Sequence, residues 1–174
     1  GRFGELPGIC SRYGSRLLLV TGGESLDKNG RLQSLLDALR EADIRIMRVS
    51  VDREPDTDLV DTARTAIDTA DCILAVGGGS VIDTGKALSA LITNPGSILD
   101  YLEGLPEGGG KTPGRPAVPL VAVPTTAGTG SEVTKNAVIQ VERWGIKRSM
   151  RSESMLPETA VVDPALVETA PLKV

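Results

Sequence analysis

Histidine is absent from all 174 residues. Its absence excludes Ser-His-Asp and Cys-His catalysis, and any histidine-ligated metal site, within this chain. Aromatic residues are nearly as scarce: Phe3, Tyr13, Tyr101 and Trp144 make up 2% of the sequence. A core without aromatics must be built from Val, Leu, Ile and Ala, the composition of parallel strands buried on both faces. The same scarcity removes the stacking platforms that single-stranded nucleic acid requires. No Lys/Arg block occurs and the formal net charge is −4, so nucleic acid is not an expected partner. The two cysteines, Cys10 and Cys72, are far apart in sequence and form neither a disulfide framework nor a metal-type spacing. Cys72 lies in an apolar run and reads as a buried core thiol. There is no signal-peptide pattern and no apolar run long enough to cross a bilayer. A soluble, cytoplasmic chain without a membrane partner is the expectation.

What is present alternates. Leu17 to Val20 is a buried strand, closed by the turn Thr21-Gly22-Gly23. Leu32, Leu35, Leu36 and Leu39 recur at spacings of three and four, which predicts a helix over Arg31 to Ala42. Ile44 to Val49 alternates as a second strand. Asp56 or Asp58 caps a helix carrying Leu59, Ala63, Ala66 and Ile67. Cys72 to Val76 is a third strand, and Val81 to Ile92 a helix stopped by Asn94-Pro95-Gly96. The Gly/Pro-rich stretch Leu105 to Pro119 is a loop before a fourth strand, Leu120 to Val123. Ala137 to Val141 and Ala160 to Val162 are two further short strands. The alternation predicts an α/β fold, a parallel sheet with helices on both faces and right-handed crossovers. The length fits one domain, residues 1–174. Ligands of such sheets bind at the carboxyl ends of strands, which directs attention to the segments after Val20, Val76 and Val123.

Gly77-Gly78-Gly79-Ser80 ends a strand and opens a helix. Without Cβ atoms, backbone N–H groups can approach an anion closely. The helix start adds free donors and the positive end of its dipole. Ser80 can cap the helix or donate to a phosphate. The geometry suits the pyrophosphate of a nucleotide, although a tight turn that binds nothing has the same pattern. The spacing is neither GxGxxG nor a Walker A loop, since Ala87 follows Gly85-Lys86. A second cluster, Pro124 to Glu132, sets Thr125, Thr126, Thr129 and Ser131 among glycines directly after strand four. Two such clusters after two parallel strands should meet at one crevice.

These clusters resemble the iron-containing (group III) alcohol dehydrogenase family. Gly77 to Lys86 is similar to its GGGSxxDxxK signature, and Pro124 to Thr134 to its PTTxGTGSEVT signature. Asp163-Pro164-Ala165-Leu166, with Pro171 close behind, resembles its DPxL segment, and Phe3-Gly4 its early FG. The resemblance covers essentially the whole chain. It implies a Rossmann-like nucleotide-binding domain followed by a helical domain that carries the metal ligands, one Asp and three His. In that scheme Gly77, Gly78, Gly79 and Ser80 hold the pyrophosphate of NAD or NADP. Thr125, Thr126, Thr129 and Ser131 line the cleft towards the nicotinamide. Asp83 and Lys86 lie near the cofactor, or form an i,i+3 surface ion pair. Lys147 falls where the family often has a cofactor-contacting lysine, and equally suits solvent.

The chain ends at Val174, before the segment that supplies the first metal ligands. It therefore reads as the nucleotide-binding half alone. No catalytic or metal-ligating residue is expected within it, and Asp163 is not the ligand Asp. Fe2+ or Zn2+ would belong to the full-length enzyme. After strand one, Thr21-Gly22-Gly23-Glu24-Ser25 places Gly22 where NAD-specific relatives carry a ribose-binding Asp. Gly22, Gly23 and Ser25 suit a 2′-phosphate, whereas Glu24 opposes one. The balance leans to NADP over NAD. The implied function is metal-assisted hydride transfer between a small alcohol and an aldehyde or ketone, with homodimers as the implied assembly. A maleylacetate-reductase-like enzyme and a stand-alone nucleotide-binding module are the alternatives.

Overall fold

A computed structural model describes residues 1–23, 26 and 30–167. Its centre is a five-stranded, all-parallel sheet in the order β2-β1-β3-β4-β7. The strands are β1 Arg16–Gly22, β2 Arg45–Val51, β3 Cys72–Gly77, β4 Leu120–Pro124 and β7 Thr159–Ala160. Alternate side chains divide the core in two, as a two-residue strand period requires. Leu18, Val20, Ile73, Ala75, Leu120 and Ala122 enter one cluster; Leu17, Leu19, Cys72, Leu74, Val76, Val121 and Val123 enter the other.

Each cluster is closed by helices. The short α1, Leu6–Cys10, and α2, Arg31–Glu41, cover the second cluster through Leu6, Cys10, Leu32, Leu35 and Leu39. The first cluster is covered by α3, Thr57–Thr65, and α4, Gly79–Thr93. Asp56 supplies the cap of α3, its carboxylate accepting the Leu59 N–H at 2.7 Å. Helices on both faces match the expected α/β architecture.

The expectation for Ala137 to Val141 holds, and its partner is a strand with no apolar pattern of its own. β5, Asn136–Val141, pairs antiparallel with β6, Ile146–Arg151. This hairpin packs on the outer face of α4. Trp144 stands at its tip, half-buried, with the Arg143 guanidinium 3.7 Å from the ring centre. Several sequence boundaries shift, since β1 runs on through Thr21 and Gly22 and β2 through Val51. The helix expected to carry Ala66 and Ile67 ends at Thr65, and the last strand is Thr159–Ala160 rather than Ala160 to Val162.

The sequence motifs at either end meet. The Phe3 N–H donates to Asp163 Oδ2 at 3.0 Å, and Asp163 also caps the short 3-10 turn Pro164–Leu166 through the Ala165 N–H. Those two donors, Phe3 first, hold the Asp163 carboxyl below the ordinary carboxylate range. Asp163 is thus a structural acceptor. Pro171 lies outside the described residues.

Candidate functional site

The strand order contains one reversal. From β1 the chain steps to β2 on one side and then returns to β3 on the other. In an open parallel sheet, such a switch leaves a crevice at the carboxyl ends of the two central strands. Here those ends are Gly22, the last residue of β1, and Gly77, the last of β3. The glycine turns therefore lie at the point where the topology opens the sheet.

The three glycines have different tasks. A Cβ on Gly77 would lie 2.5–2.9 Å from three atoms of the Val81 side chain, so this glycine permits the tight seating of α4 on β3. A Cβ on Gly78 would meet Thr126 Oγ1 at 3.2 Å, and one on Gly79 would meet Ser131 Oγ and Thr129 Cγ2 at 3.4 Å. Gly78 has φ −77°, open to any residue, and Gly77 and Gly79 also lie outside the left-handed region. Glycine is required here for space rather than for backbone conformation. Gly78, not Ser80, is the N-cap of α4, and no side chain caps that end. The first N–H groups of a helix have no partner within it. In this 15-residue helix the Val81 and Ile82 N–H groups donate to Gly78 O at 3.1 Å, so the N–H groups of Gly79 and Ser80 are the ones left to a ligand.

The second turn converges on the first. Gly77 pairs with Pro124 across β3 and β4, and the Thr125 N–H donates to Gly77 O at 3.0 Å. Thr126 then stands beside Gly78, while Thr129 and Ser131 stand beside Gly79. The expected meeting of the two clusters is observed. The Gly22 turn joins from the other side, with Val81 Cγ2 3.5 Å from where a Gly22 Cβ would be. Among the described residues nothing lies within 4 Å of a Cβ on Gly23. Ser25 and Glu24 lie outside the described residues.

The i,i+3 pairing of Asp83 and Lys86 is present, but it is buried. They are not a surface pair. Lys86 is wholly inaccessible, and Asp83 is buried. Lys86 Nζ donates to Thr134 Oγ1 at 2.8 Å and to Asn136 O at 3.0 Å, with Asp83 Oδ1 at 3.7 Å. Asp83 Oδ2 accepts the Val138 N–H at 3.0 Å. The covering hairpin β5–β6 is what buries them. Burial pushes the Asp83 carboxyl up, against the pull of the Val138 N–H and the Lys86 charge. Burial pushes the Lys86 ammonium down, against the pull of Asp83.

A small cleft of about 110 Å³ lies alongside the start of α4. Ser80, Asp83 and Lys147 line it together with Glu54, Pro55, Val138 and Gln140. Lys147 is half-exposed and donates to Glu54 Oε1 at 2.7 Å. Sequence reasoning missed Glu54. Its only signal is position, since it follows β2 and so shares the carboxyl rim of the sheet. Of the partners of Lys86, Thr134 closes the second signature, and Asn136 carried no signal of its own.

Comparison with known proteins agrees with this geometry. The family described as iron-containing alcohol dehydrogenase matches residues 1–164. The 4-hydroxybutyrate dehydrogenase of Cupriavidus necator is 34% identical over 168 residues, covering 95% of this chain and 43% of that protein. The NADH-dependent butanol dehydrogenase A of Thermotoga maritima superposes with a TM-score of 0.88 at 30% identity, over 98% of this chain and 42% of that one. The sulfoacetaldehyde reductase of Bifidobacterium kashiwanohense, solved with NAD+, superposes at 0.83 with 31% identity, over 98% and 44%. The chain thus spans less than half the length of these relatives. By the family match, the two signatures and the sheet that joins them, this chain belongs to the iron-containing alcohol dehydrogenase family.

Proposed function

We propose that this chain is the dinucleotide-binding part of an oxidoreductase that interconverts a small alcohol and its carbonyl compound. One observation carries the proposal. Two turns rich in backbone and hydroxyl donors meet at the switch point of the sheet, with Thr126 beside Gly78 and Ser131 beside Gly79. A Cβ at Gly78 would already crowd Thr126, so the cradle is fitted to backbone rather than to side chains. That donor set suits a pyrophosphate: anionic oxygens, no base to recognise, and a helix start to offset the charge. When bound, a nicotinamide dinucleotide supplies the hydride acceptor or donor. The chain's own part is to hold the pyrophosphate at Gly77 to Ser80 and to orient the rest through Thr125, Thr126, Thr129 and Ser131.

A metal of the iron type does not fit these residues. The chain has no histidine, and among the described residues no three His, Cys, Asp or Glu side chains gather as ligands. No step is assigned through a metal here. The substrate is accordingly given only as a class, a small alcohol or carbonyl compound. The two buried free thiols, Cys10 and Cys72, suit a reducing compartment such as the cytoplasm.

Both NAD and NADP suit the crevice, with Gly22 favouring NADP because it presents no carboxylate to a 2′-phosphate. Gly22→Asp tests both the site and the preference. The new side chain meets, among the described residues, only Val81 Cγ2, at 3.5 Å. Two charges about 4 Å apart interact by roughly 1–4 kcal/mol between bulk water and a partly exposed rim. Calorimetric titration should show NADP+ affinity falling by about one to two orders of magnitude, with NAD+ affinity held or improved. Equal loss for both would remove the charge-selection role of Gly22. Failure of the unaltered chain to bind either dinucleotide would overturn the function.

A further inference from the structure

The two turns are joined from behind. We propose, on the basis of the cofactor site inferred above, that Asp83 and Lys86 are positioning residues: they act on the cofactor through Ser131, Glu132 and Thr134 and do not touch it. Lys86 is wholly buried, so no ligand reaches its ammonium. An ammonium has three protons to donate. Two go to Thr134 Oγ1 and Asn136 O, at the end of the hydroxyl turn and the start of β5, and the third faces Asp83. Asp83 in turn accepts the Val138 N–H at 3.0 Å, and the Ser131 side chain lies close enough to favour its ionised form. Glu132 lies within the field of Lys86, and its Oε2 is buried without a hydrogen-bond partner.

Three consecutive contacts therefore lead from one face of α4 to the residues that stand over its first turn. Thr129 and Ser131 approach Gly79 to within ordinary contact of a Cβ position. The height of that turn above the helix start is set by side chains one and two helical turns further along. Two signatures separated by some forty residues are thus one mechanical unit: Asp83 and Lys86 hold the Ser131-Glu132-Val133-Thr134 segment in place. The unpartnered carboxylate oxygen of Glu132 is the slack in this unit. Buried polar atoms are rarely left without partners, and Lys86 is the nearby cation whose contact with Asp83, at 3.7 Å, is the loosest of its three.

The test separates holding from mere stability. In the full chain, Thr134→Val removes one acceptor of Lys86 at an exposed position, while Thr134→Ser keeps the hydroxyl. Thr134→Val should weaken NAD+ binding by about three- to tenfold and Thr134→Ser should restore it. Lys86→Met should weaken binding by on the order of ten- to a hundredfold, as a displaced positioning group does. Adding Thr134→Val to Lys86→Met should cost less than Thr134→Val alone, since the shared contact is already gone and only the long Thr134 Oγ1 to Ser131 O bond remains to be lost. Amide exchange at Gly130 to Val133 should quicken in Thr134→Val and not in Thr134→Ser. Unchanged exchange in Thr134→Val would overturn the proposal whether or not a dinucleotide binds. Equal affinity of Thr134→Val and the unaltered chain, in a chain that binds NAD+, would overturn it while leaving the cofactor site standing. Where Lys86→Met fails to fold, the two Thr134 variants decide alone.

Discussion

The two ends of the central sheet are finished in opposite ways. At the amino end, Asp71 precedes β3 and closes the gap to β1. Its carboxylate accepts the Ser15 N–H at 3.1 Å, the Arg16 N–H at 3.0 Å and the Arg16 guanidinium. Gly14, at φ +146°, makes the approach possible, since a Cβ there would strike the Asp71 side chain. At the carboxyl end, Gly78 opens α4 with no side-chain cap, its carbonyl taking the Val81 and Ile82 N–H groups. The amino end satisfies its main-chain donors with the protein's own carboxylate. At the carboxyl end Asp56 does the same for α3, but the start of α4 has no such cap. In a parallel sheet the difference follows from direction: helix starts gather at the carboxyl rim, where their positive ends favour an anion.

The comparison is broken most severely at Gly77. A valine there would overlap Val81 and lift α4 from β3. Overpacking of this kind costs about 1–3 kcal/mol, and chemical denaturation should show the loss before any ligand is added. Gly78→Val, one residue on, should behave differently. Its φ is open to valine, and among the described residues only the Thr126 side chain, which can shift, stands near, so the stability loss should be smaller than at Gly77. Dinucleotide affinity should fall on the order of a hundredfold, about 2.7 kcal/mol, as calorimetry would register. Similar stability losses in both variants would mean that the two glycines share one packing role and that the rim is not open in the sense described.

The smallest effect belongs to the amino end. Asp71→Asn should lower stability by about 0.5–1 kcal/mol, the range of a partly exposed charged contact, and leave dinucleotide affinity unchanged. Its pH dependence has a definite sign. The hydrogen bond from Arg16 holds the Asp71 carboxyl below its ordinary value, with the backbone donors of Arg16 and Ser15 acting the same way. The contribution is then fully present above the unfolded value of about 3.9 and is lost as pH falls through the lowered folded value. Denaturation curves of the two proteins should converge below about pH 4. A gap that persists in acid would place the effect in packing rather than charge.

Much of this was legible in the sequence because it is local. The aliphatic runs of β1, β3 and β4, the Leu32-Leu35-Leu39 face of α2 and the Gly77 turn each announce themselves within a few residues. The convergence of the two turns followed from parallel topology. What was not legible depends on distant partners. β6 carries Lys147, Arg148 and Arg151, and Met150 is its one buried side chain, so no strand period stands out. Asp83 and Lys86 look like a solvated pair until the hairpin β5–β6 is laid over α4. The family resemblance implied a place near the cofactor, but not how they are held.

Trp144 gives the hairpin an optical consequence. It is the only tryptophan in the chain, and it stands at the hairpin tip rather than in the sheet. Its indole lies against the Arg143 guanidinium and the edge of the first core cluster. Emission excited near the red edge of protein absorbance therefore reports on whether the hairpin is seated, not on whether the sheet is folded. A fluorescence melt and a far-ultraviolet dichroism melt of this protein interrogate different structures, and any interval between them measures how independently the lid over Lys86 comes away.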